Sequence, residues 1–316
     1  MLWQSRDIAE FEAEFARAFG VRHAVLVGST TEALRLALRL AHVEEGADVV
    51  VSAPFARPAG QAVRDVGAFV VPADVDADLG VATARTVRLA LTPATRAVIV
   101  DDTGGVAADV DGIRAACLAR GVQVIEHVGV AIGGTRHADA VGARADIAVW
   151  PLDIGPLNHG GGAVLSVQRE LLAAEARDLR TPVRTMQGDL VGALARLWSL
   201  HESTRVRREA AERLCAGLAP VPGVRVVARS SLGAGSAWQL GVELLAGSRD
   251  RDELVARLSR LGVAVRAGWG EATARGASGW VPIATRLHDG VMTLELERAD
   301  AATVVNAFRE RAKGAA

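Results

Sequence analysis

A series of short apolar runs, rich in β-branched residues, punctuates the first half of this chain at helix-sized intervals. They read Ala24-Val25-Leu26-Val27, Val49-Val50-Val51, Phe69-Val70-Val71, Ala97-Val98-Ile99-Val100, Val122-Gln123-Val124-Ile125, Ile147-Ala148-Val149-Trp150 and Ala163-Val164-Leu165-Ser166. Strands that are apolar without alternation are buried on both faces, as in parallel sheets whose crossovers are helices. The intervals supply such helices: Ile8, Phe11, Phe15 and Phe19 recur at helical spacing over 7–18, and Ala33, Leu34, Ala37, Leu38 and Ala41 line one side of a second. Further helices are predicted near 58–66 and over 109–120. The pattern predicts an α/β fold with a mostly parallel central sheet flanked by helices.

Beyond about residue 186 the pattern changes. A long Leu- and Arg-rich helix through roughly 188–217 is broken by Pro220-Val221-Pro222-Gly223. Strands are predicted around 224–228, 238–245, 263–266 and 291–296, with helices over 250–261 and 300–312. The expected division is a large α/β domain over 1–186, then the connecting helix and a smaller α+β domain over 187–316.

Half the residues are hydrophobic and the formal charge is -1. Arginines scattered among acids give no footprint for nucleic acid or an acidic membrane surface. No run approaches the roughly 18 uninterrupted apolar residues of a membrane span. Cys117 and Cys215 are too few for a disulfide framework and read as free thiols of a reducing cytosol.

One residue type is nearly missing. Lys313 is the sole lysine; the other 35 of the 36 basic side chains are arginines. An amine that forms imines is therefore absent from everything but the closing tail, and a guanidinium cannot take its place because it stays protonated.

That absence bears on a resemblance. The segment order is similar to that of the DegT/StrS-type sugar-nucleotide aminotransferases, a fold-type-I family dependent on pyridoxal phosphate. The colinear segments include Phe11-Glu12-Ala13-Glu14-Phe15, Gly20-Val21-Arg22-His23-Ala24-Val25, Ala33-Leu34-Arg35-Leu36-Ala37-Leu38, Gly46-Ala47-Asp48-Val49-Val50-Val51 and Ala108-Asp109-Val110-Asp111. Val124-Ile125-Glu126, Gly160-Gly161-Gly162-Ala163-Val164 and Leu261-Gly262-Val263-Ala264-Val265 continue it. The resemblance implies a fold-type-I architecture and a dimer whose sites straddle the interface.

It also locates departures. The family's lysine would fall on Asp153, Ile154 or Pro156, and none offers an amine. Its pyridine-nitrogen aspartate is His127 here, and a nearby cofactor-contacting glutamine is Val130. The stacking aromatic would sit near Ala56, with Phe55 one residue away. Of the phosphate-binding set, Ser29 and Thr31 are kept, the glycine is Thr30 and a later serine maps near Pro151; an asparagine given by the neighbouring subunit becomes Pro182. Arg184 is kept in a loop that carries a substrate-contacting arginine. In one branch a histidine replaces the lysine and yields a dehydratase, but His159 aligns nearer the glycine-rich turn.

The residues themselves leave two readings open at each position. His127, Asp153, His159 and Asp102 are expected to converge at the carboxyl ends of the strands, where open α/β sheets bind ligands, with Arg57 and Arg184 clamping a small anion. Equally, His127 is a core histidine, Asp153 a turn cap, Asn158-His159-Gly160 a tight turn, and Ser29-Thr30-Thr31 a helix cap rather than an anion site. Ligands from separate loops without diagnostic spacing predict no metal. The expectation is a homologue that works without pyridoxal phosphate, as a homodimer or paired with an active paralogue. The alternative is a cofactor-independent enzyme using His127 with carboxylates for proton transfer, elimination or cyclisation.

Overall fold

The computed structural model describes residues 5–154, 157, 161–181, 190–227, 235–270, 281–296 and 300–314. Helix α1 (Ser5–Phe19) leads into β1 (His23–Val27), α2 (Thr30–Leu40), β2 (Asp48–Ser52), α3 (Ala56–Asp65) and β3 (Phe69–Ala73). After α4 (Ala84–Ala90) come β4 (Thr95–Asp101), α5 (Val110–Leu118) and β5 (Gln123–His127). A small hairpin, β6 (Thr135–Arg136) with β7 (Asp139–Ala140), precedes β8 (Ile147–Pro151), β9 (Ala163–Val167) and α6 (Glu170–Leu179).

The large sheet has the order β1-β9-β8-β5-β4-β2-β3. The pairs β3-β2-β4-β5-β8 are parallel, whereas β9 runs antiparallel to both β8 and β1. Successive strand residues feed opposite layers. In β1, Ala24 and Leu26 join the layer with Phe11, Phe15, Ile113 and Trp150, while Val25 and Val27 join the layer with α2, α3 and α6. The Phe11-Phe15-Phe19 spacing of α1 is explained by that packing, with Phe15 meeting Trp150 edge-on at 5.4 Å. The outer edge of β1 is closed by charge: Glu12 accepts from the Leu26 N–H at 2.9 Å and from Arg180 at 2.8 Å, and Arg180 donates to the Leu26 carbonyl.

Helix α7 (Leu190–Leu218) reaches a second sheet built from β10 (Val224–Val226), β11 (Gln239–Leu244), β12 (Val265–Ala267) and β13 (Val291–Glu295). This sheet is antiparallel, in the order β10-β11-β13-β12, and packs with α7, α8 (Ser248–Arg260) and α10 (Ala301–Gly314); α9 (Pro282–Gly290) leads into β13. The expected boundary at 186 falls outside the described residues. Among the described residues no helix is long and apolar enough to cross a membrane, and Cys117 and Cys215 are both buried.

The second sheet is fastened to the first by Trp269, 1% exposed. Its indole N–H donates to the Gly80 carbonyl at 2.8 Å, and the ring lies against Gly80, Gly104 and Gly241, where any Cβ would collide with it. Gly80 and Gly104 also hold φ near +70°, so glycine is required there twice over. Replacing Trp269 with Ala empties a slot whose glycine walls cannot fill it. The expected loss is about 3–5 kcal/mol of stability, read from urea unfolding of both chains.

Candidate functional site

Strands β4 and β5 pair so that Asp101 stands opposite His127, and both project to the face of Ile99 and Ile125. His127 Nδ1 and Asp101 Oδ1 are 2.6 Å apart. A carboxylate only accepts, so Nδ1 is the donor in this pair and Nε2 is the nitrogen left over. The second Asp101 oxygen accepts from the Thr103 hydroxyl, and the Asp101 N–H donates to Ser52 Oγ at 3.2 Å. Phe55, in the turn after β2, stacks on the imidazole with centroids 4.0 Å apart and planes at 15°. Gly129, at φ +53°, turns the chain directly beside the ring.

His127 is 2% exposed, Asp101 and Phe55 7% each. The buried Nε2 has no hydrogen-bond partner among the described residues. The group is a histidine oriented by a carboxylate with one nitrogen uncommitted, closed off from solvent in this chain. Stacked atoms need about 3.5–4.0 Å on each face, so no third ring fits between Phe55 and His127.

Asp102 does not join this group. One residue further along, it turns to the opposite face and is wholly buried with Glu126 and Arg136. Its Oδ1 accepts from the Ala108 N–H at 2.7 Å and lies 4.0 Å from Arg136, which donates to Glu126 at 2.7 Å. Asp102 Oδ2 and Glu126 Oε2 have no hydrogen-bond partner among the described residues. Burial, then the Glu126 charge, holds the Asp102 carboxyl well above the ordinary carboxylate range, against the opposing pull of Arg136 and the Ala108 N–H. The Arg136 guanidinium is raised as well: burial works against it, but the charges of Glu126 and Asp102 prevail.

The carboxylate that orients His127 is thus Asp101, the neighbour of the expected Asp102. Strand register was the signal that could have found it: in a parallel pair, the residue level with His127 shares its face.

At the amino end of α2, Ser29 caps the helix by accepting from the Glu32 N–H at 3.1 Å. Glu32 reaches back to the Gly28 N–H at 3.1 Å and also holds Thr181. Thr30 donates to Asp153 Oδ1 at 3.4 Å, bringing those two expected residues together; Thr31 is exposed. A helix amino terminus attracts negative charge, and here two carboxylates, Glu32 and Asp153, already stand at it. Arg57 is exposed on the first turn of α3. His159 and Arg184 lie outside the described residues. A cleft of about 670 Å³ lies elsewhere, lined by Asp78, Arg225, Glu243 and Arg286 among others, and none of the residues singled out from the sequence lines it.

Because Asp102 is neutral-favouring in the fold, it contributes stability fully below its unfolded value near 3.8, and that contribution is lost as pH rises toward its folded value. Asp102→Asn keeps the acceptor for Ala108 and has no proton to lose. The variant is expected to unfold at a higher temperature than the parent at pH 8, with the gap narrowing toward pH 4, in thermal melts across that range.

Comparison with known proteins matches residues 2–188 to the model of the DegT/DnrJ/EryC1/StrS aminotransferase family. A UDP-N-acetyl-3-dehydro-alpha-D-glucosamine 3-aminotransferase of Acidithiobacillus ferrooxidans is 34% identical over 192 residues, covering 59% of this chain and 52% of its own length. A dTDP-4-dehydro-2,3,6-trideoxy-D-glucose 4-aminotransferase of Saccharopolyspora spinosa is 34% identical over 172 residues, 54% of this chain and 45% of its own. The chain thus spans about half the length of these curated relatives. The crystal structure of the aminotransferase TlmJ from Streptoalloteichus hindustanus superimposes with a TM-score of 0.89 at 29% identity, covering 99% of this chain and 93% of that one.

Proposed function

The chain belongs to the DegT/DnrJ/EryC1/StrS aminotransferase family, and from that premise we propose that it is a member that does not transaminate. In this reading it serves as a non-catalytic, complex-forming subunit in deoxysugar or natural-product biosynthesis, as a homodimer or beside a lysine-bearing paralogue. The observation that carries the reading is the Phe55–His127 stack, 4.0 Å between centroids. It covers a face of Phe55, the aromatic nearest the family's ring-stacking position, with a side chain of this chain, so that face is not available to a cofactor ring. The sole lysine supports the same conclusion: Lys313 is exposed near the end of α10, on the helix that packs against the second sheet. The residues present do not fit pyridoxal phosphate held as an imine.

Two measurements test this. Incubation with pyridoxal phosphate is expected to give no visible absorbance band that survives dialysis, and borohydride should trap nothing on an internal side chain. Co-expression with a lysine-bearing family member is expected to give a mixed dimer by native mass. A trapped internal adduct would falsify the proposal.

One observation favours a second reading, a cofactor-independent enzyme: His127 Nε2 is uncommitted while Nδ1 is held by Asp101. A histidine so oriented is suited to moving a proton. Under that reading His127→Ala abolishes a biosynthetic step while the chain stays folded, and Asp101→Asn weakens it by disturbing the tautomer. Unchanged product output from both variants, measured in the producing cells, removes the second reading.

A further inference from the structure

We propose that His127 is a built-in occupant of an aromatic-ring slot: its imidazole fills, from within the chain, a pocket shaped for a flat nitrogen heterocycle. The inference rests on the reading above and adds what the site does contain.

The slot has three walls. Phe55 supplies a face, parallel to the imidazole within 15° and at contact distance. Asp101 supplies a hydrogen-bond acceptor, 2.6 Å from Nδ1. Gly129 supplies a close edge, since a Cβ built there would lie 3.4 Å from the imidazole carbon Cε1. These are the elements that recognise a planar ring bearing an N–H: a stacking surface, a fixed acceptor and a backbone with no side chain in the way.

His127 is also held there firmly. Asp101 is fixed on its other side by Thr103 and through its own N–H by Ser52. If the imidazole swung out, it would leave a carboxylate that is 7% exposed without its nitrogen partner. The slot is therefore closed by default, and only loss of the imidazole opens it. The ligand class that would enter an opened slot is a small neutral azole with an N–H directed at Asp101.

The test is chemical rescue. His127→Gly removes the ring and leaves Phe55 and Asp101 in place. Its melting temperature is expected to fall by several degrees and to be restored in large part by millimolar imidazole. N-methylimidazole, which lacks the donor N–H, should restore less, and the parent chain should respond to neither. An equal response of parent and variant, or no rescue of a folded His127→Gly chain, overturns the proposal.

Should that variant fail to fold, the parent chain provides the readout. Long-range proton–nitrogen NMR spectra are expected to give His127 a single Nδ1–H tautomer that saturating pyridoxal phosphate leaves unmoved. A His127 signal that shifts on titration overturns the proposal, and the loss of transaminase capacity with it. Failed rescue with an unmoved signal overturns only the built-in occupant.

Discussion

Strands buried on both faces leave a polar side chain at their ends no water to turn to, and the chemistry of this molecule follows from that constraint. Alternation sends Asp101 and His127 to one side of the large sheet, and Asp102 and Glu126 to the other. Each side must then satisfy its polar groups separately. One does so with a hydrogen-bonded chain from Thr103 through Asp101 to the imidazole. The other places two carboxylates against a single guanidinium, so it is short of positive charge, and burial with the Glu126 charge holds the Asp102 carboxyl well above its ordinary range.

The loops that carry these groups do not stand alone. Ser236, wholly buried beside the second sheet, donates its hydroxyl to the Val130 carbonyl at 2.7 Å and its N–H to the Gly105 carbonyl at 3.0 Å. Those two carbonyls lie just past His127 and Asp102. Trp269 presses on Gly104 in the same segment. The second sheet therefore braces the turns after β4 and β5, and the geometry of the His127–Asp101 pair depends on contacts made by residues more than a hundred positions away in sequence.

Much of the architecture could be read directly from residues, and the failures have physical causes. Apolar runs located the large-sheet strands because the inner ones are buried on both faces, although Phe69 of the edge strand β3 is exposed. The same runs hid strand direction: the antiparallel course of β9 is set by which strands it joins, and hydrophobicity carries no sign of it. Helix α4 went unrecognised because it has seven residues and a thin apolar face; its signal was the Thr83–Thr86 capping box. Val263, expected in a strand, is buried in the turn after α8, and the strand begins at Val265. In the site, His127 stood out as a polar residue closing an apolar run. Asp101 and Asp102 could not be told apart, because Ala97-Val98-Ile99-Val100 is apolar throughout and so gives no alternation from which to assign faces. Arg136, a buried charge on a two-residue strand, left no pattern at all.

The energetics explain how such a site persists. Leaving Nε2 buried and unpaired costs about 1–3 kcal/mol. Against that stand an aromatic stack worth roughly 0.5–1.5 kcal/mol and a hydrogen bond to a carboxylate worth about 1.5–3 kcal/mol. The opposing quantities are of similar size, so the imidazole can sit in the slot without burdening the fold. A carboxylate at position 127 would instead face Asp101 directly across the strand pair, like charge against like in a buried setting. With Asp101 in place, a side chain that brings a donor N–H and a flat face is the one that satisfies both Asp101 and Phe55, and histidine supplies both in a single ring.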